Sequence, residues 1–184
     1  MRALPTLLLA GLLAIAAPAR AADYVQAPGS TLAFATQYQG ETFTGRFPGF
    51  AVRLRFDPAH LAQARLEVTI PLAGVGTDND ERDDTLKGAD FFDIARFPEA
   101  RYTATRFRSL GAGRYVAEGT LTLRGIEKPV ALTFTWTPGA QPVLAGKATV
   151  KRLQFGVGGG DWADTSLIPD DVAVSTRVVL QPAD

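Results

Sequence analysis

The clearest indication of the fold lies in PVALTFTWT, residues 129–137. From Val130 to Trp136 every second side chain is large and apolar, and the residues between them are alanine or threonine. Successive side chains of a strand point to opposite faces, so this alternation predicts a strand with one apolar and one polar face. One-sided strands of this kind are typical of antiparallel sheets that cover a core on one side.

The same alternation recurs on both sides of this stretch, most clearly in residues 50–56 and 66–72. It predicts eight strands, at residues 31–38, 43–56, 64–72, 101–109, 114–124, 129–137, 143–152 and 172–181. Pro48-Gly49 interrupts the second of them and predicts a bulge or bend there. Five of the seven connections are short and carry turn residues, whereas those at 73–100 and 153–171 are long.

Eight one-sided antiparallel strands form either a sandwich or a closed up-and-down barrel. Closure removes exposed sheet edges, so we expect an all-β, eight-stranded antiparallel up-and-down barrel. In a meander the long third and seventh connections lie at the same end, where they would form a lid over one mouth. The interior of an eight-stranded barrel is just wide enough for side chains or for one slender ligand.

The first long connection predicts one short helix, at residues 79–87. Thr77 or Asp78 would cap its N-terminus, acidic residues crowd its first turns and Gly88 would end it. Phe91 and Phe92 follow, and either one plugs the core while the other borders the mouth, or both anchor the helix to the barrel. The acidic cluster does not fit an EF-hand, because it lacks the required glycine and regularly spaced oxygen ligands.

The second long connection contains FGVGGGDW, residues 155–162. No lysine follows its glycines and no helix pattern begins there, so a nucleotide site is not indicated. We expect a loop held in place by Phe155 and Trp162.

Composition excludes several functional classes. The chain has 184 residues, 19 basic and 19 acidic side chains, no cysteine and one histidine. It therefore has no disulfide, thiol nucleophile or Cys/His zinc site, and no basic surplus for nucleic acid. His60 lies in a turn away from the expected lid, where a surface role is the simplest interpretation. No catalytic constellation is recognisable, and we expect no cofactor and no metal ion.

Residues 1–21 have the pattern of a secretory signal peptide. Met1-Arg2 supplies a positive start, residues 4–17 are apolar, and Ala19-Arg20-Ala21 is a small-x-small cleavage site. The apolar run is too short for a membrane span, although an uncleaved anchor is the alternative. Cleavage after Ala21 would leave a mildly acidic domain of residues 22–184 with no membrane span.

Four segments resemble the YceI-like family of exported bacterial proteins. They are TGRF (44–47) with Phe50, LKGADFFD (86–93) with Phe97-Pro98, GTLTLRGIEKPV (119–130) and KRLQFG (151–156). The resemblance implies a lipocalin-like barrel in the periplasm that binds a long polyisoprenoid or other lipid-like chain in an apolar tunnel. It brings no catalytic residues with it and so favours a carrier over an enzyme.

The apolar strand faces and the lid supply the candidate ligand-binding residues: Phe34, Val52, Leu54, Leu66, Val68, Phe91, Phe92, Leu121, Leu123, Leu132, Phe134, Trp136, Val172 and Val174. Plain core packing is the alternative for each, because a filled barrel needs the same residues. Ala64 and Gly119, which are small residues on the same faces, favour a cavity. Candidates for contact with a ligand head group are Asp90, Asp93, Arg152 and Trp162, each of which a cap, ion pair or packing role also explains.

We therefore expect a periplasmic carrier of a polyisoprenoid, isoprenoid quinone or fatty-acid derivative, without a nucleic-acid partner; a homodimer stays open. One alternative is a structural or stress-protective β-sandwich with a packed core and no ligand. Another is a hydrolase or isomerase acting on a lipid-like substrate. The enzyme needs a titratable residue inside the cavity, with Asp90, Asp93 and Tyr102 as the first candidates.

Overall fold

Ten strand segments and one α-helix make up the part of the chain, residues 22–183, that a computed structural model describes. The predicted signal peptide, residues 1–21, lies outside the described residues. The segments are β1 (Ala22–Gln26), β2 (Thr31–Tyr38), β3 (Glu41–Arg46), β4 (Ala51–Phe56), β5 (Arg65–Pro71), β6 (Glu99–Gly111), β7 (Arg114–Leu123), β8 (Ile126–Thr137), β9 (Val143–Lys151) and β10 (Asp171–Pro182), with α1 (Asp80–Lys87) between β5 and β6.

The ten segments occupy eight positions in one closed antiparallel wall, which confirms the predicted fold class. β1 and β2 are the two halves of one bent strand, because β1 pairs with the end of β10 and β2 with its beginning. β3 and β4 are likewise two halves, paired with β2 and β1 respectively. From β4 the wall continues through β5, β6, β7, β8 and β9 to β10 as a simple meander.

The predicted strand 43–56 is interrupted at residues 47–50, as Pro48-Gly49 indicated. Gly49 adopts a positive φ of 75°, which glycine tolerates without strain. The bend inserts one residue into the alternation, so the inward positions are odd-numbered before it (Phe43, Phe47) and even-numbered after it (Val52). A change of phase of this kind is what a bulge produces.

Two sequence-based expectations need correction. β1 was not expected, because its sequence ADYVQ has no clear alternation and none of its residues is fully buried. Helix α1 is capped by Asn79, whose side chain accepts a hydrogen bond from the Arg82 amide at 2.9 Å. Neither expected residue is the cap: the buried Thr77 donates its hydroxyl to Asp83 at 2.5 Å, and Asp78, with a positive φ of 58°, precedes the cap.

The long connections meet at one end of the barrel, which confirms the expected lid. The Gly158 amide in the second donates to the Asp90 carbonyl in the first at 2.7 Å. Arg124, in the β7–β8 turn, donates to the Ala89 carbonyl at 2.7 Å and also to that of Phe91. These three connections therefore form one layer, and α1 belongs to it. Within residues 22–183, no helix has the length and apolar character needed to cross a membrane.

Candidate ligand-binding cavity

The barrel half away from the lid is filled by an aromatic cluster. Phe56 lies at its centre, with ring centroids 4.9 Å from Trp136, 5.1 Å from Tyr115 and 5.6 Å from Phe134. Phe134 also stacks on Tyr115 at 5.5 Å. We call these four residues the aromatic plug. Edge-to-face and stacked contacts of this kind add to the gain from burying large rings, so this end of the barrel is closed.

The barrel half beneath the lid is hollow. It encloses a cavity of about 500 Å³ whose wall is almost entirely apolar. Most of the predicted ligand-binding residues line it: Phe34, Val52, Leu66, Val68, Phe91, Phe92, Leu121, Leu123, Leu132, Val172 and Val174.

Leu54, Phe134 and Trp136 do not line the cavity, which corrects their predicted placement. Phe134 and Trp136 are part of the plug, and Leu54 is buried beside it at 2% exposure. Their alternation is the same as that of the cavity wall, so the pattern alone does not distinguish the two halves. The expected tunnel along the whole barrel is a blind cavity instead, because the plug fills the far end.

The burial of strand β10 marks where the hollow half begins. Its inward side chains Val172 and Val174 are only half-buried, whereas Val178 and Leu180 further along the same strand are fully buried. Inward side chains of a packed barrel are buried along its whole length. The change therefore locates the floor of the cavity at about the middle of β10.

Small inward residues do not create the cavity, contrary to expectation. Tyr102 of β6 lies directly over Gly119 of β7, so that a Cβ at Gly119 would sit 2.5 Å from the Tyr102 Oη. The Phe34 ring covers Gly45 in the same way. Ala64 is closely packed at 1% exposure. The space left free by these residues is already occupied, and the cavity arises further up, under the lid.

The lid end of the cavity, which we call the mouth, includes four aromatic or cationic side chains, Tyr38, Phe43, Arg82 and Trp162, and the exposed polar residues Asn79, Glu81 and Thr85. Trp162 packs against Phe91 at 5.4 Å and faces Tyr38 at 6.4 Å. Arg82 lies over the Phe43 ring, 4.4 Å from its centroid. Of these four, sequence reasoning had selected only Trp162. Phe43 was detectable from its spacing to Gly45 and Phe47, but the phase change at Pro48-Gly49 concealed it.

Arg152 is a buried brace of the lid. At 3% exposure, it donates to the carbonyls of Pro169, Val157, Gly158, Trp162 and Ile168 at 2.5–3.1 Å. These five bonds use all five N–H groups of a guanidinium. Desolvation by burial lowers the pKa of Arg152. Although its side chain reaches the cavity wall, it has no donor left for a ligand.

The two acidic head-group candidates lie outside the cavity wall. Asp90 is exposed, and its carbonyl accepts the Gly158 amide that joins the two long connections. Asp93 is buried at 7% exposure, with its carboxylate 3.6 Å from Arg96 and its carbonyl accepting the amides of Arg96 and Phe97. The contacts of both are those of residues that hold the first long connection in shape.

Of the three side chains that the sequence suggests for acid–base chemistry, Asp90, Asp93 and Tyr102, only Tyr102 borders the cavity. Its hydroxyl lies 3.0 Å from the carbonyls of both Ala117 and Val130, and burial raises its pKa to about 12. A phenol with that pKa stays protonated near neutral pH and is a poor general base. Among the described residues, no group of three acidic or histidine side chains converges to hold a metal ion.

Known proteins are similar to this chain in amino-acid sequence. The profile of the family described as YceI-like domain matches residues 24–180. A UPF0312 protein of Photorhabdus laumondii is 37% identical over 125 residues, 66% of this chain and 65% of that protein. A UPF0312 protein of Shewanella oneidensis is 30% identical over 149 residues, 74% of this chain and 78% of that protein. The chain spans slightly less than two thirds of the length of the first curated relatives it matches.

Solved structures share the barrel itself. BcnA of Burkholderia cenocepacia superposes with a TM-score of 0.78 at 29% identity, over 82% of this chain and 95% of BcnA. A polyisoprenoid binding domain from Saccharophagus degradans superposes with a TM-score of 0.68 over 88% of this chain and 99% of that domain. Its identity of 18% makes this second likeness one of fold alone. With a profile match that runs from β1 to β10 and the same barrel in BcnA, this chain belongs to the YceI-like family.

Proposed function

We propose that this protein is a periplasmic carrier that holds the apolar chain of one lipid-like molecule in the cavity beneath the lid. The main support for the proposal is that one half of the barrel is hollow. A largely apolar wall surrounds about 500 Å³, and side chains from both long connections line its lid end. This volume is within the range of roughly 300–1,000 Å³ that is usual for small-molecule sites.

The physical chemistry of the wall favours a hydrocarbon chain over a polar ligand. Burying one CH₂ group contributes about 0.8 kcal/mol, before the cost of association is subtracted. A chain of several isoprene units, an isoprenoid quinone tail or a fatty acyl chain would therefore bind without many hydrogen bonds. The related barrel from Saccharophagus degradans is described as polyisoprenoid binding, which agrees with a ligand of this class.

The cavity favours a carrier over a stress-protective protein with a fully packed core. A packed barrel would fill the space at Val172 and Val174 as it does at Leu180. Catalysis is not part of the proposal, because Tyr102 is bonded to the main chain and both aspartates lie outside the wall. The periplasmic location rests on the signal-peptide pattern of residues 1–21.

Native mass spectrometry of the protein expressed with residues 1–21 and collected from the periplasm tests this proposal. We expect a chain lacking residues 1–21 that carries one apolar adduct, whose mass identifies the ligand after extraction. Val68→Arg and Leu132→Arg put a charge into the cavity wall and should abolish the adduct. Arg53→Leu, an exposed outward position on β4, is the control that should retain it. Folded wild-type protein that is repeatedly empty, or unchanged adducts in both wall variants, would contradict the proposal.

A further inference from the structure

Arg82 is the cation at the mouth that still has hydrogen-bond donors to offer. Its Nε donates to the Thr77 hydroxyl at 2.8 Å and one terminal nitrogen donates to the Thr77 carbonyl at 3.0 Å. These bonds use two of the five N–H groups of the guanidinium. Arg152, the other arginine among the described residues of the cavity wall, has none left.

The Arg82 guanidinium is held in one position before any ligand arrives. The Phe43 ring supports one face at 4.4 Å, and Thr77 fixes its edge. Thr77 is in turn held by Asp83, which accepts from both its amide and its hydroxyl at 2.8 and 2.5 Å. A side chain ordered in this way loses little entropy when it binds a partner.

The Arg82 guanidinium has no direct ion pair within the described residues, although the exposed Glu81 also borders the cavity. The neighbouring carboxylate of Asp83 is engaged by Thr77. The cavity wall behind Arg82 is largely apolar, so it offers few other polar partners to a head group placed beside Arg82. A planar guanidinium with free N–H groups matches the oxygens of a carboxylate or a phosphate.

We propose that Arg82 sets the head-group selectivity of the cavity: it binds an anionic oxygen, carboxylate or phosphate, on an amphiphile whose chain lies in the hollow half of the barrel. This inference rests on the proposed carrier function and adds the class of head group to it. The bound molecule is then an acidic amphiphile, with its chain against the apolar wall and its charge at the Arg82–Phe43 pair.

The test compares two ligands that differ only in the head group. Isothermal titration calorimetry measures lauric acid and lauryl alcohol, at neutral pH, on the wild-type mature protein and on Arg82→Gln. We expect Arg82→Gln to weaken the binding of laurate about tenfold or more, and that of the alcohol less than about twofold. Arg82→Lys keeps the charge but loses the planar fork, so it should retain part of the preference for the acid.

Arg96→Gln is the matched control. Arg96 also lies over a phenylalanine, with its guanidinium 5.1 Å from the Phe97 ring, but it is exposed and outside the cavity wall. It should change neither affinity. Equal weakening of both ligands in a folded Arg82→Gln, or no weakening of either, overturns the role of Arg82 and leaves the carrier proposal standing. Wild-type protein that binds neither ligand contradicts the carrier proposal itself, and the selectivity with it.

Discussion

Two inward glycines accept large aromatic rings from the neighbouring strand. Tyr102 crosses Gly119, which lets its hydroxyl reach the carbonyls of Ala117 on β7 and Val130 on β8. Phe34 covers Gly45 in the same manner. A glycine in the interior of a strand often marks a position that another group approaches closely. The space above each glycine is therefore occupied by a ring from the next strand, and both rings border the cavity.

Gly119→Ala should destabilise the protein by about 1–3 kcal/mol, because overpacking forces neighbouring groups to move. The new Cβ would lie 2.5 Å from the Tyr102 Oη and 2.6 Å from the Thr103 carbonyl oxygen, and backbone cannot yield as a flexible side chain does. Denaturant unfolding of both proteins measures the difference. Gly139→Ala is the control: its Cβ would meet nothing within 4 Å, so stability should be unchanged or slightly higher. Equal stability of Gly119→Ala and the wild type would show that Tyr102 does not need this glycine.

At the scale of elements, the second long connection is held in shape by hydrogen bonds from one buried arginine, Arg152, instead of by a helix or strand. Residues 152–170 contain only short 3₁₀ turns, at Arg152–Phe155 and Gly160–Trp162. Arg152 donates to five carbonyls of this segment, those of Val157, Gly158, Trp162, Ile168 and Pro169. Buried carbonyls without a donor are costly, so the arginine acts as the internal framework of this half of the lid.

Arg152→Met should therefore loosen this connection. We expect the free energy of unfolding to fall by about 3 kcal/mol or more, since several buried carbonyls lose their donor at once. Hydrogen exchange read by mass spectrometry should rise in residues 152–170 and not in β4 or β5. Lys151→Met is the neighbouring control, because the Lys151–Asp171 pair is solvent-exposed and its loss should leave stability close to that of the wild type. A stable, slowly exchanging Arg152→Met would show that the connection is held in some other way.

For the molecule as a whole, the barrel combines a packed half with a hollow half. The plug end is built like any protein core, with Phe56 and Phe134 at 1% and 2% exposure. The lid end gives up such packing, and a ligand chain in the cavity could supply the van der Waals neighbours that the wall lacks. The plug end of the strands therefore provides most of the stability, and the lid end provides the binding cavity.

This division predicts different costs for similar truncations. Phe134→Ala should lower the free energy of unfolding by about 3–5 kcal/mol, because it leaves a void among close-packed rings. Val174→Ala, at a half-buried position on the cavity wall, should cost less than about 2 kcal/mol without ligand. Chemical denaturation of delipidated protein gives both values. Comparable losses at the two positions would contradict the assignment of a packed end and a hollow end.

Much of the fold could be predicted from local pattern. The strand β2 was predicted with its observed bounds, and the six from β5 to β10 were predicted to within three residues at either end. The bend at Pro48-Gly49 and the meeting of the two long connections also follow from residue type and strand count. β1 was missed because ADYVQ lacks alternation, and its place in the wall is set by pairing with β4 and β10.

The candidate site was predictable only in part. The alternation identifies which side chains face inward, and most of those selected do line the cavity. It does not separate Val174 from Phe134, because both are inward residues of one barrel. Arg82, in a helix crowded with acidic residues, looks like any solvated charge in the sequence. Its place beside Phe43 depends on a contact between α1 and β3, which lie far apart along the chain.

The antiparallel barrel, its two-sided strands and its lid are predictable from the sequence, because they depend on periodicity, turn residues and chain connectivity. Three features depend instead on contacts between distant parts of the chain: one half is filled and the other hollow, Arg152 braces the lid, and Arg82 lies at the mouth. Periodicity states which face a side chain occupies. How much space remains on that face depends on which rings cross it from the neighbouring strands, and that is set when the barrel closes.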